Sequence, residues 1–397
     1  MTVNVTKSSF NVREKLKELE RPIGVKGNEL MRAETLQDAR DLVSAGRKNI
    51  IINGDFQVSQ RATSATSISS DTYHTVDRWK FVANSSGTFT LSKESDAPPG
   101  FSNSLKYLCT TADASPNYLV CRQNIEGYNL QQLGYGTSSA KHITFSFWVK
   151  SNVTGTYSLA LVNVDASTKG NSLFYTINSP GVWEYKTLTY NPDTSAGFDN
   201  DNDLSMEVSW WLGASSTYNG GSSTNGNWTT LDNPKRAGSA QIGTAVNNYW
   251  QIAGVQMEVG KNATEFEHRS YGEELALCQR YCYVIAQDGN SPYDRYTLIS
   301  LGHSYSTANI YGAVYLPVPM RIPPSFQNLG NNSTPLRWSD WSGSSASGLT
   351  INEMYAWNNL HGRIRLDKTS GFTAQRVGII WFDGSLTGQK IAFNAEL

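Results

Sequence analysis

The residues best suited to binding chemistry are aromatic side chains on the wet side of strands. In HITFSFWVK, Ile143, Phe145, Phe147 and Val149 alternate with Thr144, Ser146, Trp148 and Lys150. In LSMEVSWW, Leu204, Met206, Val208 and Trp210 alternate with Ser205, Glu207, Ser209 and Trp211. The period of two puts Trp148 and Trp211 opposite the apolar row of each strand. A large ring turned outward from a sheet can stack on the apolar face of a sugar. The competing reading is that a loop, a later domain or a neighbouring subunit covers it. Trp183 and Tyr185 share one face of VWEYKTLTY and carry the same two readings. Tyr218 and Trp228 lie in Gly213–Thr230, a long segment whose Gly, Ser, Thr and Asn content predicts flexibility. It reads either as a functional loop or as a plain surface insertion.

Other constellations are weaker. Asp199, Asp201 and Asp203 form D-x-D-x-D, and alternate carboxylates in a loop can converge on calcium. The pattern then departs from an EF-hand, with Leu204 where glycine is required and Trp210 where the bidentate glutamate belongs. A solvated acidic turn is the reading preferred over a calcium site. Glu184 and Glu207 stand on predicted strands and read either as surface residues, the preferred reading, or as a carboxylate pair for glycoside hydrolysis, which needs a separation of about 5–9 Å. His74, His142, His268, His303 and His361 show no ligand spacing, and the hydrolase, metalloprotease and phosphate-loop motifs are absent. No enzymatic activity and no cofactor are expected. Cys109, Cys121, Cys278 and Cys282 read as buried thiols, with a Cys109–Cys121 bridge as the lesser alternative. Cys278 and Cys282 fall on a predicted helix, where a four-residue separation suits a disulfide poorly.

The elements that must position these residues divide the 397-residue chain into three stretches. Residues 1–48 are dense in charge and helical in pattern. Val12, Leu16 and Leu19 form one narrow stripe, and Leu36, Ala39, Leu42 and Val43 form another. Such short helices are marginal alone, so the stripes must find another subunit, a larger assembly or the following domain. Residues 49–270 alternate with period two between turns rich in Gly, Pro and Asn, which predicts antiparallel strands of a β-sandwich. A helix is predicted over Gly272–Tyr283, and strand patterns resume to Leu397 as a second, smaller sandwich. Pro317, Pro319, Pro323 and Pro324 confine their segment to a sheet edge or an extended entry. The fold class is thus mainly β: two antiparallel, jelly-roll-like sandwiches, a helical leader and a linking helix.

Composition excludes further classes. Lys and Arg number 33 against 34 Asp and Glu, without basic runs, which argues against neutralising nucleic-acid phosphates. No apolar run approaches the roughly 20 residues of a bilayer span, and the N-terminus lacks a secretory h-region. Synthesis in the cytoplasm and no membrane insertion are expected.

Several segments carry a resemblance. NIIINGDFQVSQR (Asn49–Arg61), with VDRW (Val76–Trp79) and WQIAGVQMEVGKNATEFEHRSYGEELALCQRYC (Trp250–Cys282), resembles bacteriophage virion fibre proteins. In those proteins a jelly roll similar to carbohydrate-binding modules opens on an NGDF-like turn. RPIGVKGNELMRAETLQDARDLVSAGRKN (Arg21–Asn49) is similar to attachment leaders of cyanophage tail fibres, and LCQRYCY followed by GAVYLPVPMRIPPSF resembles a fibre-tip module. The resemblance implies a homotrimeric structural protein on the virion surface, attached to other virion proteins through its leader and contacting host-surface polysaccharide. An aromatic, nearly neutral surface suits neutral glycans. The other readings are a head decoration or tail adaptor with no receptor role, and a polysaccharide depolymerase.

Overall fold

The computed structural model describes residues 47–397 apart from 167–168, 288–296, 331–332, 334, 343–344, 356–357, 369–371 and 384–387. The two leader helices expected before residue 47 lie outside the described residues. The chain divides into two compact units, Met1–Lys48 and Asn49–Leu397, and the second contains all the elements below.

Twelve strands precede the linking helix: β1 Ser64–Ile68, β2 Lys80–Asn84, β3 Thr88–Glu94, β4 Ser104–Thr111, β5 Tyr118–Glu126, β6 Ile143–Ser151, β7 Gly155–Asn163, β8 Lys169–Ile177, β9 Glu184–Tyr190, β10 Leu204–Ala214, β11 Thr229–Thr230 and β12 Tyr249–Val259. They form two six-stranded sheets, a front sheet ordered β1-β3-β4-β12-β6-β9 and a back sheet ordered β11-β8-β7-β10-β5-β2. Every pairing is antiparallel. The alternation read from sequence sets which residues meet between the sheets. Ile143, Phe145, Phe147 and Val149 of β6 join Met206, Val208 and Trp210 of β10 in one core. Trp210 meets Phe147 edge-to-face at 5.9 Å between centroids. Such a ring pair adds about 0.5–1.5 kcal/mol beyond the area it buries.

The N-G-D-F turn is a structural device. Asn53 takes φ +59°, and its side chain accepts from the Val58 amide at 3.0 Å while donating to the Val58 and Asp77 carbonyls. A Cβ on Gly54 would lie 2.1 Å from the Val255 carbonyl oxygen, so only glycine fits there. The Trp79 indole donates to the Asn53 carbonyl at 3.0 Å. The motif thereby ties the entering chain to β12 and to the V-D-R-W segment.

Helix α1, Ser216–Asn219, is one turn within the back-sheet covering segment. Helix α2 spans Tyr271–Gln279, opened by a capping box of Ser270 and Glu273. The expected extension to Tyr283 does not form. Tyr281 turns back on the Cys278 carbonyl, and Cys282 opens strand β13 (Cys282–Ala286) rather than lying on the helix. All four cysteines are buried free thiols.

The remaining strands are β14 Leu298–Ser304, β15 Asn309–Tyr315, β16 Ser325–Asn328, β17 Leu336–Asp340, β18 Ser345–Leu349, β19 Ile351–Tyr355, β20 His361–Asp367, β21 Arg376–Phe382 and β22 Lys390–Asn394. A three-stranded sheet, β13-β22-β16, accompanies a seven-stranded sheet, β18-β17-β21-β14-β15-β20-β19, around a second core containing Trp338, Ile380 and Phe393. The proline-rich segment leads into β16, an edge strand, because proline cannot donate to a ladder.

The two sandwiches join through buried ion pairs. Glu396 meets Arg61 at 3.2 Å and also Arg78, and Arg280 is bidentate to Glu126 at 2.8 Å. The Arg78 guanidinium sits 3.5 Å from the Tyr281 ring centroid. Among the described residues no helix is long and apolar enough to cross a membrane.

Candidate functional site

The outer face of the front sheet brings three of the sequence-selected aromatics together. Register places Tyr185 of β9 opposite Trp148 of β6, and their rings lie 5.2 Å apart at 50°. Tyr185 is 46% exposed, and Trp148 is half-buried against it. Trp183 precedes Tyr185 by two residues and stands on the same face. Its indole donates to Asp96 at 3.3 Å, and the Lys150 ammonium lies 5.1 Å from its ring centroid. Lys150 also pairs with Asp96, whose side chain is half exposed. That hydrogen bond from Lys150 holds the Asp96 carboxyl below its ordinary range.

The wall beside this patch is built by turns. Phe101, Phe266 and His268 cluster with centroids 4.9–5.4 Å apart, and Phe101 covers Gly254. Gln256 and Glu258 are buried under the segment around Thr264. Farther along the same face Tyr249 receives Lys106 at 4.9 Å from its ring centroid. Sequence reading passed over Tyr249, Lys150 and Asp96. Alternation in YWQIAG signals Tyr249, since Trp250 beside it is core. Asp96 carries no such signal, because it belongs to a turn brought in by folding.

Glu184 is not catalytically poised. Burial would raise its pKa, but Lys186 at 2.7 Å and the backbone amides of Ser179 and Asn178 at 2.8 Å hold it at about 2. Glu207 lies on the opposite sheet, paired with Arg122 at 2.5 Å and facing Arg236 at 3.9 Å. The two carboxylates therefore belong to different faces of the sandwich. Each already neutralises a cation.

The back sheet disposes of the other aromatics differently. Trp211 does point away from the main core, but it is 3% exposed in a satellite cluster with Val82, Val120, Ala160 and Ala237. Tyr218 packs on it at 5.3 Å, and Arg236 covers it with its guanidinium 5.1 Å from the ring centroid. The segment expected to be a flexible loop is pinned. Asn171 donates to the Gly226 carbonyl at 2.7 Å, Ser172 to the Lys235 carbonyl at 2.6 Å, and the Ala237 amide to the Tyr218 carbonyl at 2.8 Å. Trp228 is half-buried, donating to the Asn191 carbonyl at 3.0 Å and meeting Tyr135 edge-on. Tyr218 is therefore part of a cover over Trp211, and Trp228 packs against the main core.

The three aspartates are likewise structural. The Asp203 amide donates to Asp201, the Asp199 amide to Asp165, and the Asp203 carboxylate faces Arg321 at 3.4 Å. Arg321 also donates to the Asn202 carbonyl, so this turn docks the second sandwich. Among the described residues, no group of three or more His, Cys, Asp or Glu side chains is placed to hold a metal ion.

No protein-family model matches the chain, and neither does any curated protein. Among solved structures, it is similar to the enzymatically active domain of bacteriophage CBA120 tailspike protein 4, with 15% identity and a TM-score of 0.31. That likeness covers 53% of this chain and 21% of the tailspike chain, about a fifth of its length. A carbohydrate-binding module of family 4 matches at 13% identity and a TM-score of 0.28, over 52% of this chain and 97% of the module. The xylan-binding domain from Paenibacillus barcinonensis Xyn10C matches at 8% identity and a TM-score of 0.26, over 55% and 100%. At such scores none of these likenesses extends to a shared site.

Proposed function

We propose that the chain is a non-enzymatic glycan-binding protein of a virion surface, assembled in the host cytoplasm as a homotrimer. The single observation that carries the glycan reading is the open aromatic patch of Trp148, Trp183 and Tyr185 on the front sheet. Rings offer apolar faces to sugar C–H groups, while the Asp96 carboxylate and the Tyr185 and Thr187 hydroxyls supply hydrogen-bond partners at their edge. The cation beside the rings has a carboxylate of its own, Lys150 with Asp96, which favours an uncharged ligand. The virion role rests on the sequence resemblance of Asn49–Arg61, Val76–Trp79 and the leader. Weak contacts on several copies would be multiplied by avidity, by about 10²–10⁴ without new contacts.

Binding of the purified chain to arrays of neutral and acidic glycans, and to whole host cells, tests the reading. Neutral glycans are expected to bind, and Trp148→Ala and Trp183→Ala to weaken them. Binding unchanged in both variants, or absent throughout, overturns it. Release of reducing ends from a bound polysaccharide would overturn the non-enzymatic part.

A further inference from the structure

The outer face of the back sheet gathers cations that the glycan patch does not use. Register sets Lys80 of β2 directly opposite Arg122 of β5, and Arg122 opposite Ser209 of β10. Side chains facing each other across an antiparallel pair stand about 5 Å apart at Cβ, and like charges there repel. Arg122 donates to the Ser209 hydroxyl at 2.9 Å and pairs with Glu207 at 2.5 Å. Arg236 approaches the same carboxylate from above Trp211, at 3.9 Å, and its Nε is buried without a hydrogen-bond partner. Among the described residues, Arg122 and Arg236 have no other carboxylate within 4 Å, and Lys80 has none. Glu126, farther along β5, is already bound by Arg280 and the Tyr281 hydroxyl. Two guanidiniums only 14% exposed thus share one carboxylate, with an ammonium beside them. Burial pushes the Arg236 pKa below its ordinary value, and Arg122 pushes the same way. Partly desolvated cations cost free energy unless an anion offsets them.

We infer that Lys80, Arg122 and Arg236 form a binding site for a phosphate group. Arg122 is the middle of the site. Lys80 lies on its β2 side, 5.7 Å from the Tyr73 ring centroid, and Arg236 on its β10 side over Trp211. Charge chooses the class of ligand. Three cations against Glu207 leave a surplus of two positive charges, which a phosphate monoester close to its dianion matches and a carboxylate does not. Donor count agrees. The terminal phosphate oxygens accept from Lys80 and from the guanidinium N–H groups that Glu207 and Ser209 leave over. No ring face competes for the ligand, because Trp211 is sealed beneath Tyr218 and Arg236. The same chemistry belongs to the free ion and to a phosphorylated sugar. The site lies on the sheet opposite the Trp148 patch, and it does not rest on the glycan reading.

Calorimetric titration of the full chain at about pH 8, where phosphate is a dianion, tests the site with chloride balancing the ionic strength. Inorganic phosphate should bind one to one with a Kd of about 1 mM. Lys80→Gln and Arg236→Gln should each weaken it about tenfold, since each removes a charge-assisted contact. Glu207→Gln should tighten it about tenfold by removing the competing carboxylate, a gain that a purely structural role of these side chains does not produce. Trp148→Ala should leave it unchanged. Glucose 6-phosphate binding more tightly than inorganic phosphate assigns the site to a phosphorylated sugar, and equal or weaker binding assigns it to the free ion. Lys80 stands half-buried on the edge strand β2, so Lys80→Gln keeps the test decisive even where Arg236→Gln loosens the cover. No saturable phosphate binding up to about 20 mM overturns the inference. So does one affinity shared by the parent, Lys80→Gln and Glu207→Gln, or a loss of phosphate binding in Trp148→Ala.

Discussion

Trp148 and Trp211 have the same signature, a tryptophan on the polar row of a β-strand, and the two outer faces of the first sandwich treat them oppositely. On the front sheet Trp148 keeps an open side next to Tyr185. On the back sheet Trp211 lies beneath Tyr218, Arg236 and the segment that carries them. The difference is made by connections. The 34 residues between β10 and β12 fold back over their own sheet and are held by Asn171 and Ser172. The front sheet receives only the shorter covers around Phe101 and Thr264. An outward ring is a binding surface only where no such cover exists.

The largest expected effect separates the two tryptophans by stability. Trp211→Ala should lower unfolding free energy by about 3–5 kcal/mol in urea titration, because it empties a filled layer, and leave glycan affinity nearly unchanged. Equal loss of affinity from Trp211→Ala and Trp148→Ala would break the comparison. Next, Trp148→Ala should weaken glycan binding about 10- to 30-fold while costing less than about 1 kcal/mol of stability. Isothermal titration against a bound neutral glycan, paired with the same urea series, reads both. Third, Glu207→Gln removes the carboxylate that serves Arg122 and Arg236 beneath the back-sheet cover. A loss of about 1–2 kcal/mol is expected, sensed as a lower urea midpoint. An unchanged midpoint would mean that the cover is held by its backbone hydrogen bonds alone.

The smallest effect concerns pH. Glu184 has a folded pKa of about 2, below its ordinary 4.5, so its contribution is complete above pH 4.5 and is lost as pH falls toward 2. Asp96, also held low by Lys150, adds to the same limb. Melting temperature should therefore drop more steeply between pH 4.5 and 2 in the parent than in Glu184→Gln. Superimposable curves would show that the front-sheet ion pairs are fully screened.

The same contrast extends to the second sandwich. Its seven-stranded sheet exposes Leu301, Val377 and Tyr315, whereas the back sheet of the first sandwich buries Trp211 under its own segment. Trp341, in the turn after β17, is 84% exposed. Reading β21 by alternation finds a strand without a wet face. It does not say what covers that face.

Much of the framework was legible in the residues. Period-two alternation located β6, β10 and β12 and assigned Phe145, Phe147, Met206 and Val208 to the core, because pleating sends successive side chains to opposite sides. Tyr185 and Trp183 were placed on one face for the same reason. The helix end was misjudged, since Arg280 and Tyr281 continue a helical pattern that pairing of β13 with β22 interrupts. The D-x-D-x-D turn reads as an acidic turn in preference to a calcium site, but nothing in the sequence shows that Asp203 faces Arg321, a residue 118 positions later.

What the sequence by itself determined is orientation: which side of each strand a residue occupies, and that Asn53 and Gly54 form a turn only those residues accept. That information is local, carried by backbone period and φ. Accessibility was decided by tertiary structure alone. Whether a ring meets solvent depends on segments tens to hundreds of residues away. Asp96 reaches Trp183 from 87 positions off, and Tyr218 and Arg236 close over Trp211 through hydrogen bonds to strand β8. Covering a face depends on the free energy of docking a whole segment, and no short-range pattern encodes that sum.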